Sequence, residues 1–344
     1  MCGLAIPPRV GAWLDVEVGS RLRMLIAPDA FKGTYSAQEV CDFLAEGAGE
    51  TGTEVDLCPL ADGGEGTLSV LARDLGLELR EFEVDDALGG RVPAPIGFGA
   101  DGLAVIESAA AIGLAALPAA GLDPIAASSR GVGELIAHAR DAGATRISIG
   151  VGGTATVDGG AGAIEALGPE HALAGVEIEV LCDVGTVWER SAAVFAPQKG
   201  ATAEGVLFLS ARMDEVAGSL PRDPRGLPMS GAAGGLSGAL WAHGATLVPG
   251  ADRILDLLRF DERLARADLV VTGEGSLDGQ SIEGKLVSRV IARANGADVR
   301  VVAVVGRLGS DREALARLGL SDVIIAGTPT AMQVAGRQLA GAFY

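Results

Sequence analysis

The strongest constraint on the fold is the alternation of short apolar runs with helical segments in the last third of the chain. Apolar runs at Asp268–Thr272, Val299–Val305 and Asp322–Ala326 are each followed by a helical pattern. The first two helices are expected over about Ser281–Arg293 and Asp311–Leu318. Strands and helices that alternate in this way build a parallel sheet with helices on both faces. This third therefore predicts a doubly wound α/β sheet.

The start of the chain carries the same pattern in a shorter form. Arg23–Pro28 is an apolar run that ends at proline, and Val55–Leu60 is the next predicted strand. Between them Ser36 precedes a helical segment, and Glu39 three positions later completes a capping-box pattern. Because this piece is too small to close a core by itself, we predict that it joins the C-terminal third in one Rossmann-like sheet.

The middle of the chain predicts a second sheet of mixed strand direction. Val92–Phe98 and Leu103–Glu107 lie so close together that no helix fits between them, which indicates antiparallel pairing. The predicted fold class is therefore α/β with two domains, one parallel sheet built from both chain ends and one inserted domain with a mixed sheet. The expected bounds are 23–85 with 257–344 for the discontinuous domain, 86–256 for the inserted domain and 1–22 for an N-terminal extension.

Charge and composition exclude several classes of partner. The 344 residues carry 27 basic and 45 acidic side chains, a net charge of −18, which opposes binding to nucleic acid or anionic membranes. No apolar run of about 20 residues could span a bilayer, and the first residues lack the pattern of a signal peptide. The four cysteines form no CxxC pair. We therefore expect a cytoplasmic enzyme that acts on small molecules.

Two loops place carboxylates among glycines directly after a predicted strand. They are Pro59–Gly66, which contains Asp62 and Glu65, and Thr272–Ser281, which contains Glu274 and Asp278. At the carboxyl end of a strand, a carboxylate can hold Mg²⁺ or accept the proton of an alcohol. An Asp-Gly pair is also ordinary turn chemistry, so Asp62 has three open roles: a base, a metal ligand or a cap of the following helix.

Two further glycine-rich segments follow. Gly150–Gly162 leads from a strand into a helix, where exposed N–H groups can bind an anion. Its spacing matches neither the dinucleotide fingerprint nor the P-loop. Gly231–Gly238 has two open interpretations, a backbone cradle or a helix of small residues that packs closely on its neighbour.

The three lysines share a feature. This chain has 24 arginines, and each of its lysines, Lys32, Lys199 and Lys285, adjoins a glycine. A lysine is a compact point charge that can contact a phosphate oxygen, although three ordinary surface lysines are the alternative. With the carboxylates and the glycine N–H groups, they suit phosphoryl transfer to a small hydroxylated acid. We expect the three lysines to converge on anionic groups.

Six runs resemble, in order, those of the bacterial glycerate kinases of the two-domain, 2-phosphoglycerate-forming type. The runs are Ala27–Gly33, Pro59–Gly66, Gly150–Gly162, Phe195–Ala201, Gly231–Gly235 and Gly273–Lys285. The resemblance extends over nearly everything from Met24 onward. It implies ATP and Mg²⁺ as cofactors, D-glycerate as the acceptor and a cleft between two α/β domains. A homodimer is left open.

The loops and the resemblance together define the candidate site. The candidate catalytic residues are Asp62, Lys32, Asp158 and Lys199. The candidate substrate and phosphate ligands are Asp29, Gly63, Gly64, Glu65, Gly152, Gly153, Thr154, Asp183, Glu274, Gly275 and Lys285. The candidate metal ligands are Asp278 and Asp62.

The chain departs from the family pattern at two places near these residues. Family members usually carry Asn-Pro after the aspartate that matches Asp183, where this chain has Val-Gly-Thr, and they commonly have Asn where this chain has Val157. A lost amide at the substrate wall would alter substrate choice. Two alternatives to a D-glycerate kinase therefore remain open. One is a kinase for a related hydroxy acid, and the other is a non-catalytic protein that binds glycerate or nucleotide.

Overall fold

Strands from both ends of the chain form one five-stranded parallel sheet. The computed structural model describes residues 22–118, 121–168, 173, 175–277, 286–309 and 318–341. The strands, numbered in chain order, are β1 (Arg23–Pro28), β2 (Glu54–Leu57), β9 (Leu269–Gly273), β11 (Arg300–Val305) and β13 (Asp322–Ile325). Their order is β13-β11-β9-β1-β2, and every neighbouring pair is parallel. The predicted sheet is confirmed.

Helices cover both faces of this sheet because alternate side chains of each strand point to opposite faces. Met24 and Ile26 of β1 are buried with the helices of one face, and Leu25 and Ala27 with those of the other. The first face carries α1 (Ala37–Gly49) and α12 (Pro329–Gly341). The second face carries α2 (Thr67–Leu75), α9 (Gly250–Leu257) and α11 (Leu286–Gly296). The sequence-predicted capping box of α1 is present, with Ser36 and Glu39 bonded reciprocally.

The middle of the chain forms the predicted mixed sheet. Its six strands are β3 (Glu78–Asp85), β4 (Arg91–Phe98), β5 (Leu103–Glu107), β6 (Arg146–Gly150), β7 (Glu177–Cys182) and β8 (Thr246–Pro249). They lie in chain order, with β4 antiparallel to β3 and β5 and the remaining pairs parallel. Two short strands, β10 (Ser276–Leu277) and β12 (Arg307–Leu308), pair separately.

Seven α-helices of the described chain remain, beside three short 3-10 helices at Trp188–Arg190, Pro197–Lys199 and Ala232–Gly235. They are α3 (Ser108–Ile112), α4 (Arg130–Asp141), α5 (Ala161–Leu167), α6 (Ser191–Phe195), α7 (Ala203–Ser219), α8 (Leu236–Ala242) and α10 (Phe260–Leu264). Among the residues described, no helix combines the length and the apolar character that crossing a membrane requires.

At two places the structure differs from the predicted assignment of residues to segments. Strand β3, which the prediction placed in the segment 23–85, pairs with β4 in the mixed sheet, so the chain changes sheets before residue 78. Leu22, which was assigned to the extension, is buried, and its carbonyl accepts a hydrogen bond from the Glu54 amide. The predicted helix at Asp311–Leu318 lies almost wholly outside the described residues, as does the start of the predicted helix at Ser281.

The two sheets share one apolar core through α2 and α9. Leu25 and Ala27 of β1 belong to the same buried cluster as Val105 of β5 and Leu181 of β7. At Gly63 the loop after β2 lies against the carboxyl ends of β6 and β7. The loops that carry most of the candidate residues leave from these strand ends.

Candidate active site

Two cavities meet at the carboxyl end of β1. Cavity A, of about 460 Å³, is lined by Asp29, Glu274 and Arg307 among others. Cavity B, of about 760 Å³, is lined by residues that include Tyr35, Arg73, Gly152, Gly153 and Asp183. Four residues line both cavities, and these are Ala30, Lys32, Thr34 and Asp62. The shared wall is where molecules held in the two cavities would meet.

An ion pair occupies this shared wall. The Nζ atom of Lys32 lies 3.0 Å from Oδ2 of Asp62, and Oδ1 of Asp62 accepts a hydrogen bond of 2.9 Å from the Gly64 amide. The Lys32 side chain is 72% exposed, whereas that of Asp62 is 9% exposed. Desolvation alone would lower the pKa of Lys32, but the charges of Asp62 and Asp29 outweigh it and raise that pKa. Lys32 is therefore a stable cation that faces the cavities.

Asp29 is a buried carboxyl group beside this pair. Its Oδ1 accepts a 2.7 Å hydrogen bond from the Ala30 amide, and its own amide donates to the Gly273 carbonyl at 2.8 Å. Burial raises the pKa of Asp29 to about 7, and the charge of Asp62 adds to the effect. Near neutral pH this carboxyl group can thus gain or lose a proton at the wall of cavity A.

The glycines of two loops allow their backbones to touch. The Gly152 amide donates to the Gly63 carbonyl at 3.1 Å, and a Cβ atom on Gly152 would lie 2.6 Å from the Cα of Gly64. Any side chain at residue 152 would separate the Asp62 loop from the loop after β6. Both loops still line cavity B, through Gly64 on one side and Gly152 with Gly153 on the other.

Asp158 lines neither cavity. Its Oδ2 accepts hydrogen bonds of 2.8 Å from both the amide and the hydroxyl of Ser129, and one of 3.2 Å from the Gly162 amide. Its Oδ1 accepts one of 3.1 Å from the Gly160 amide. Asp158 thus joins the starts of α4 and α5. Thr154 is buried too, in an isolated bridge to Gly113.

Lys199 is buried at 3% relative exposure. Its Nζ atom donates to the carbonyl oxygen of Thr156 at 2.8 Å and lies 5.8 Å from the centre of the Phe195 ring. Burial lowers its pKa to about 8, partly opposed by the charge of Asp158. Lys199 lines neither cavity, so the expected convergence of Lys32 and Lys199 does not occur here. Lys285 and Asp278 lie outside the described residues.

The remaining candidates divide between the two cavities. Glu65 and Asp183 line cavity B, and Glu274 and Gly275 line cavity A. No described group of three or more His, Cys, Asp and Glu side chains is arranged to hold a metal ion. Cavity A nevertheless has three carboxyl groups in its wall, those of Asp29, Asp62 and Glu274.

The departure at Val157 lies in the interior of the protein, whereas Val184 and Thr186 after Asp183 are half-buried and Gly185 is exposed. Val157 and Trp188 are both fully buried in one small apolar cluster, and the Trp188 indole donates to the Met213 carbonyl at 3.1 Å. A Cβ atom on Gly238 would lie 2.6 Å from the Trp188 ring, and one on Gly234 would lie 2.1 Å from the Thr156 carbonyl oxygen. The segment Gly231–Gly238 therefore matches the close-packing interpretation.

Three residues around the site were not predicted from the sequence. Arg73 and Arg307 add positive charge to the walls of cavities B and A. Arginine is the general surface cation of this chain, so neither had a distinguishing signal. Glu107, the last residue of β5, accepts hydrogen bonds from the Gly66 and Leu68 amides at 3.1 and 3.0 Å. Burial raises the pKa of Glu107, although these amides oppose the shift.

Comparison with known proteins gives one consistent result. The model of the glycerate kinase family matches residues 24–171 and 169–340. The chain is 36% identical to a glycerate kinase of Bacillus subtilis strain 168, over 90% of this chain and 91% of that one. It is also 36% identical to the glycerate 2-kinase of Escherichia coli K12, over 84% and 86% of the two chains. A crystal structure assigned as glycerate kinase 2 of Salmonella typhimurium LT2 superposes with a TM-score of 0.81 at 34% identity and covers 94% of this chain and 98% of that one.

Proposed function

The chain belongs to the glycerate kinase family, and from this premise we propose that it transfers the γ-phosphoryl group of ATP to D-glycerate and forms 2-phosphoglycerate between its two sheets. The observation that carries the proposal is the Lys32–Asp62 ion pair in the wall shared by cavities A and B. Phosphoryl transfer requires a donor and an acceptor that approach one point in line. Two adjoining cavities with a common polar wall suit that requirement.

The two members of the ion pair have complementary tasks. Asp62 is an acceptor of hydrogen bonds at both oxygens, and it can take the proton of the acceptor hydroxyl as the new O–P bond forms. Lys32 stays charged and exposed, so its ammonium group can stabilise the negative charge on the phosphoryl oxygens. The role of Asp62 as a base is the one we adopt for this chain.

The cavity walls also suit the charge of the substrates. A three-carbon acid and a nucleoside triphosphate are both anions, whereas the chain as a whole has a net charge of −18. Lys32, Arg73 and Arg307 place cations at the two cavities. Local positive charge of this kind draws anions to a site on an otherwise acidic protein.

Mg²⁺ fits the oxygen ligands of cavity A. In phosphoryl-transfer sites Mg²⁺ is commonly held by one or two carboxylates together with phosphate oxygens, so a cluster of three protein ligands is not needed. Asp29 and Glu274 line cavity A and would hold the ion, with Asp62 beside them. When bound, Mg²⁺ would offset the negative charge of the phosphates.

The test is a coupled assay of ADP release with the purified full chain. D-glycerate, L-glycerate, glycolate and D-lactate are offered in turn with ATP, with and without EDTA. We expect D-glycerate to give the highest kcat/KM, EDTA to abolish turnover and NMR of the product to place the phosphate on carbon 2. A preference for another acid would favour the related-kinase alternative. Binding of D-glycerate without turnover would favour the non-catalytic one.

A further inference from the structure

The side chain of Glu107 joins the mixed sheet to the helix that follows the Asp62 loop. Glu107 ends β5, and its Oε2 accepts from the amides of Gly66 and Leu68, which lie 41 and 39 residues earlier in the chain. Gly66 is the N-cap residue of α2 and has no side chain that could accept a hydrogen bond from the first turn. Glu107 supplies this missing acceptor, and its negative charge is favourable at a helix N-terminus.

The Asp62 loop rests on the mixed sheet at other points as well. The Gly63 carbonyl accepts from the Gly152 amide at 3.1 Å. A Cβ atom on Gly250, which follows β8, would lie 2.5 Å from the Asp62 carbonyl oxygen. These contacts and those of Glu107 fall on Asp62 itself and on the residues that follow it, up to Leu68. The backbone that carries the Asp62 carboxylate is therefore held by the mixed sheet.

Lys32 is held by the other sheet. The loop after β1 is tied to β9 through the Asp29 amide, which donates to the Gly273 carbonyl at 2.8 Å. It is closed on itself by the Phe31 amide, which donates to the Tyr35 carbonyl at 2.8 Å. The ion pair thus links a lysine positioned by the parallel sheet to an aspartate whose loop leaves the parallel sheet and then rests on the mixed sheet.

We propose that Glu107 is a positioning residue for Asp62: by fixing the start of α2 on the mixed sheet, it sets where the Asp62 carboxylate stands relative to Lys32 and the substrates. This inference rests on the proposed function, in which Asp62 is the base. Displacement of a reacting group by about 1 Å is enough to slow a reaction about 100-fold. Glu107 touches neither cavity, so it acts only through the loop.

The test is a double-mutant cycle of Glu107→Gln with Asp62→Asn. Glutamine keeps the shape and one acceptor oxygen but loses the charge. We expect E107Q to lower kcat about tenfold, to change the KM for ATP and for D-glycerate less than twofold, and to have less than a twofold effect in the D62N background. A general structural role would lower kcat by the same factor in both backgrounds.

A matched control is Glu134→Gln. Glu134 also accepts a backbone hydrogen bond, from the Asp85 amide of β3 at 2.9 Å, but it holds no part of the Asp62 loop. We expect E134Q to leave kcat within twofold in both backgrounds. If E134Q matches E107Q in the cycle, the positioning role is overturned.

Hydrogen–deuterium exchange provides a readout that needs no turnover. In E107Q we expect the amides of 64–68 to exchange at least about fivefold faster, while those of 29–35 stay unchanged. If the natural chain fails to phosphorylate D-glycerate but this exchange pattern appears, the proposed function is overturned and the placement of the loop by Glu107 is supported. If the chain is active and E107Q alters neither exchange nor kcat, the inference is overturned and the proposed function stands.

Discussion

The pairs Lys32 with Asp62 and Lys199 with Asp158 look alike in sequence and differ in structure. In each pair the lysine precedes a glycine and the aspartate precedes two glycines. Lys32 and Asp62 bond to each other at the wall of two cavities. Lys199 bonds to a carbonyl and Asp158 to amides and a hydroxyl, all within the mixed-sheet part of the protein. The first pair lies at the wall of the cavities, and the second holds loops together.

The electrostatics of the two lysines differ in the same way. Carboxylates around Lys32 raise its pKa, although partial desolvation opposes them. Burial lowers the pKa of Lys199 to about 8. A buried ammonium group with one carbonyl acceptor is costly, whereas an exposed one beside carboxylates is not. The surroundings of a lysine therefore decide its role, and a neighbouring glycine does not.

The largest effect that we predict comes from Asp62→Asn. Asparagine keeps the size of the side chain and one acceptor for the Gly64 amide, but it cannot take the proton of the acceptor hydroxyl. We expect kcat to fall about 100-fold or more while Tm changes little. Steady-state kinetics and a thermal melt of the same preparation measure both quantities. Turnover near that of the natural chain would show that Asp62 takes no part in the reaction.

Asp158→Asn is expected to show the opposite pattern. Four hydrogen bonds from Ser129, Gly160 and Gly162 converge on this carboxylate, and an amide in its place would point its NH₂ group at some of those donors. We predict that the free energy of unfolding falls by about 2 kcal/mol, while kcat of the folded enzyme stays within threefold. Urea unfolding and kinetics at low temperature are the measurements. A large fall in kcat without lost stability would restore Asp158 as a catalytic residue.

Much of the fold could be predicted because its signals are local. The bounds of β5 agree with the sequence prediction at every residue, since this strand is a short apolar run between polar turns. The capping box of α1 depends on residues three positions apart. Residues 78–85 were assigned to the segment of the parallel sheet, but they pair with β4 of the mixed sheet, a partner that tertiary packing selects.

The site could be predicted only in part, because some of its contacts depend on tertiary packing and leave no local signal in the sequence. Asp62 and Lys32 follow strands of one parallel sheet, and the carboxyl ends of such strands meet at one edge. Lys199 follows no strand, and it is buried with its Nζ atom on the carbonyl oxygen of Thr156, a contact between residues far apart in the chain. Glu107 caps a helix more than 35 residues away, and no spacing in the sequence signals such a contact.

A smaller effect is predicted for Lys32. Replacement by alanine should lower kcat/KM at least about tenfold, because the charge that faces the phosphoryl group is lost. Arginine should restore only part of the activity, since its wider planar group cannot occupy the place of a point charge between Asp62 and the cavities. Full activity in Lys32→Arg would show that this position needs only a positive charge and not a lysine in particular.

The smallest effect concerns the dependence of stability on pH. The pKa of Lys199 is about 8 in the folded chain against an ordinary value of 10.5. Between these values the unfolded chain holds a proton that the folded chain has released, so stability rises with pH. Relative to Lys199→Met, the natural chain should gain about 1 kcal/mol of unfolding free energy between pH 8 and 9. Relative to Lys32→Met it should gain less, because the raised pKa of Lys32 keeps that lysine protonated in both states and only the lost charge beside Asp29 changes the titration. Denaturant unfolding of the three proteins at both pH values measures these differences. If the unfolding free energies of both variants change by the same amount between pH 8 and 9, the contrast between the two lysines is wrong.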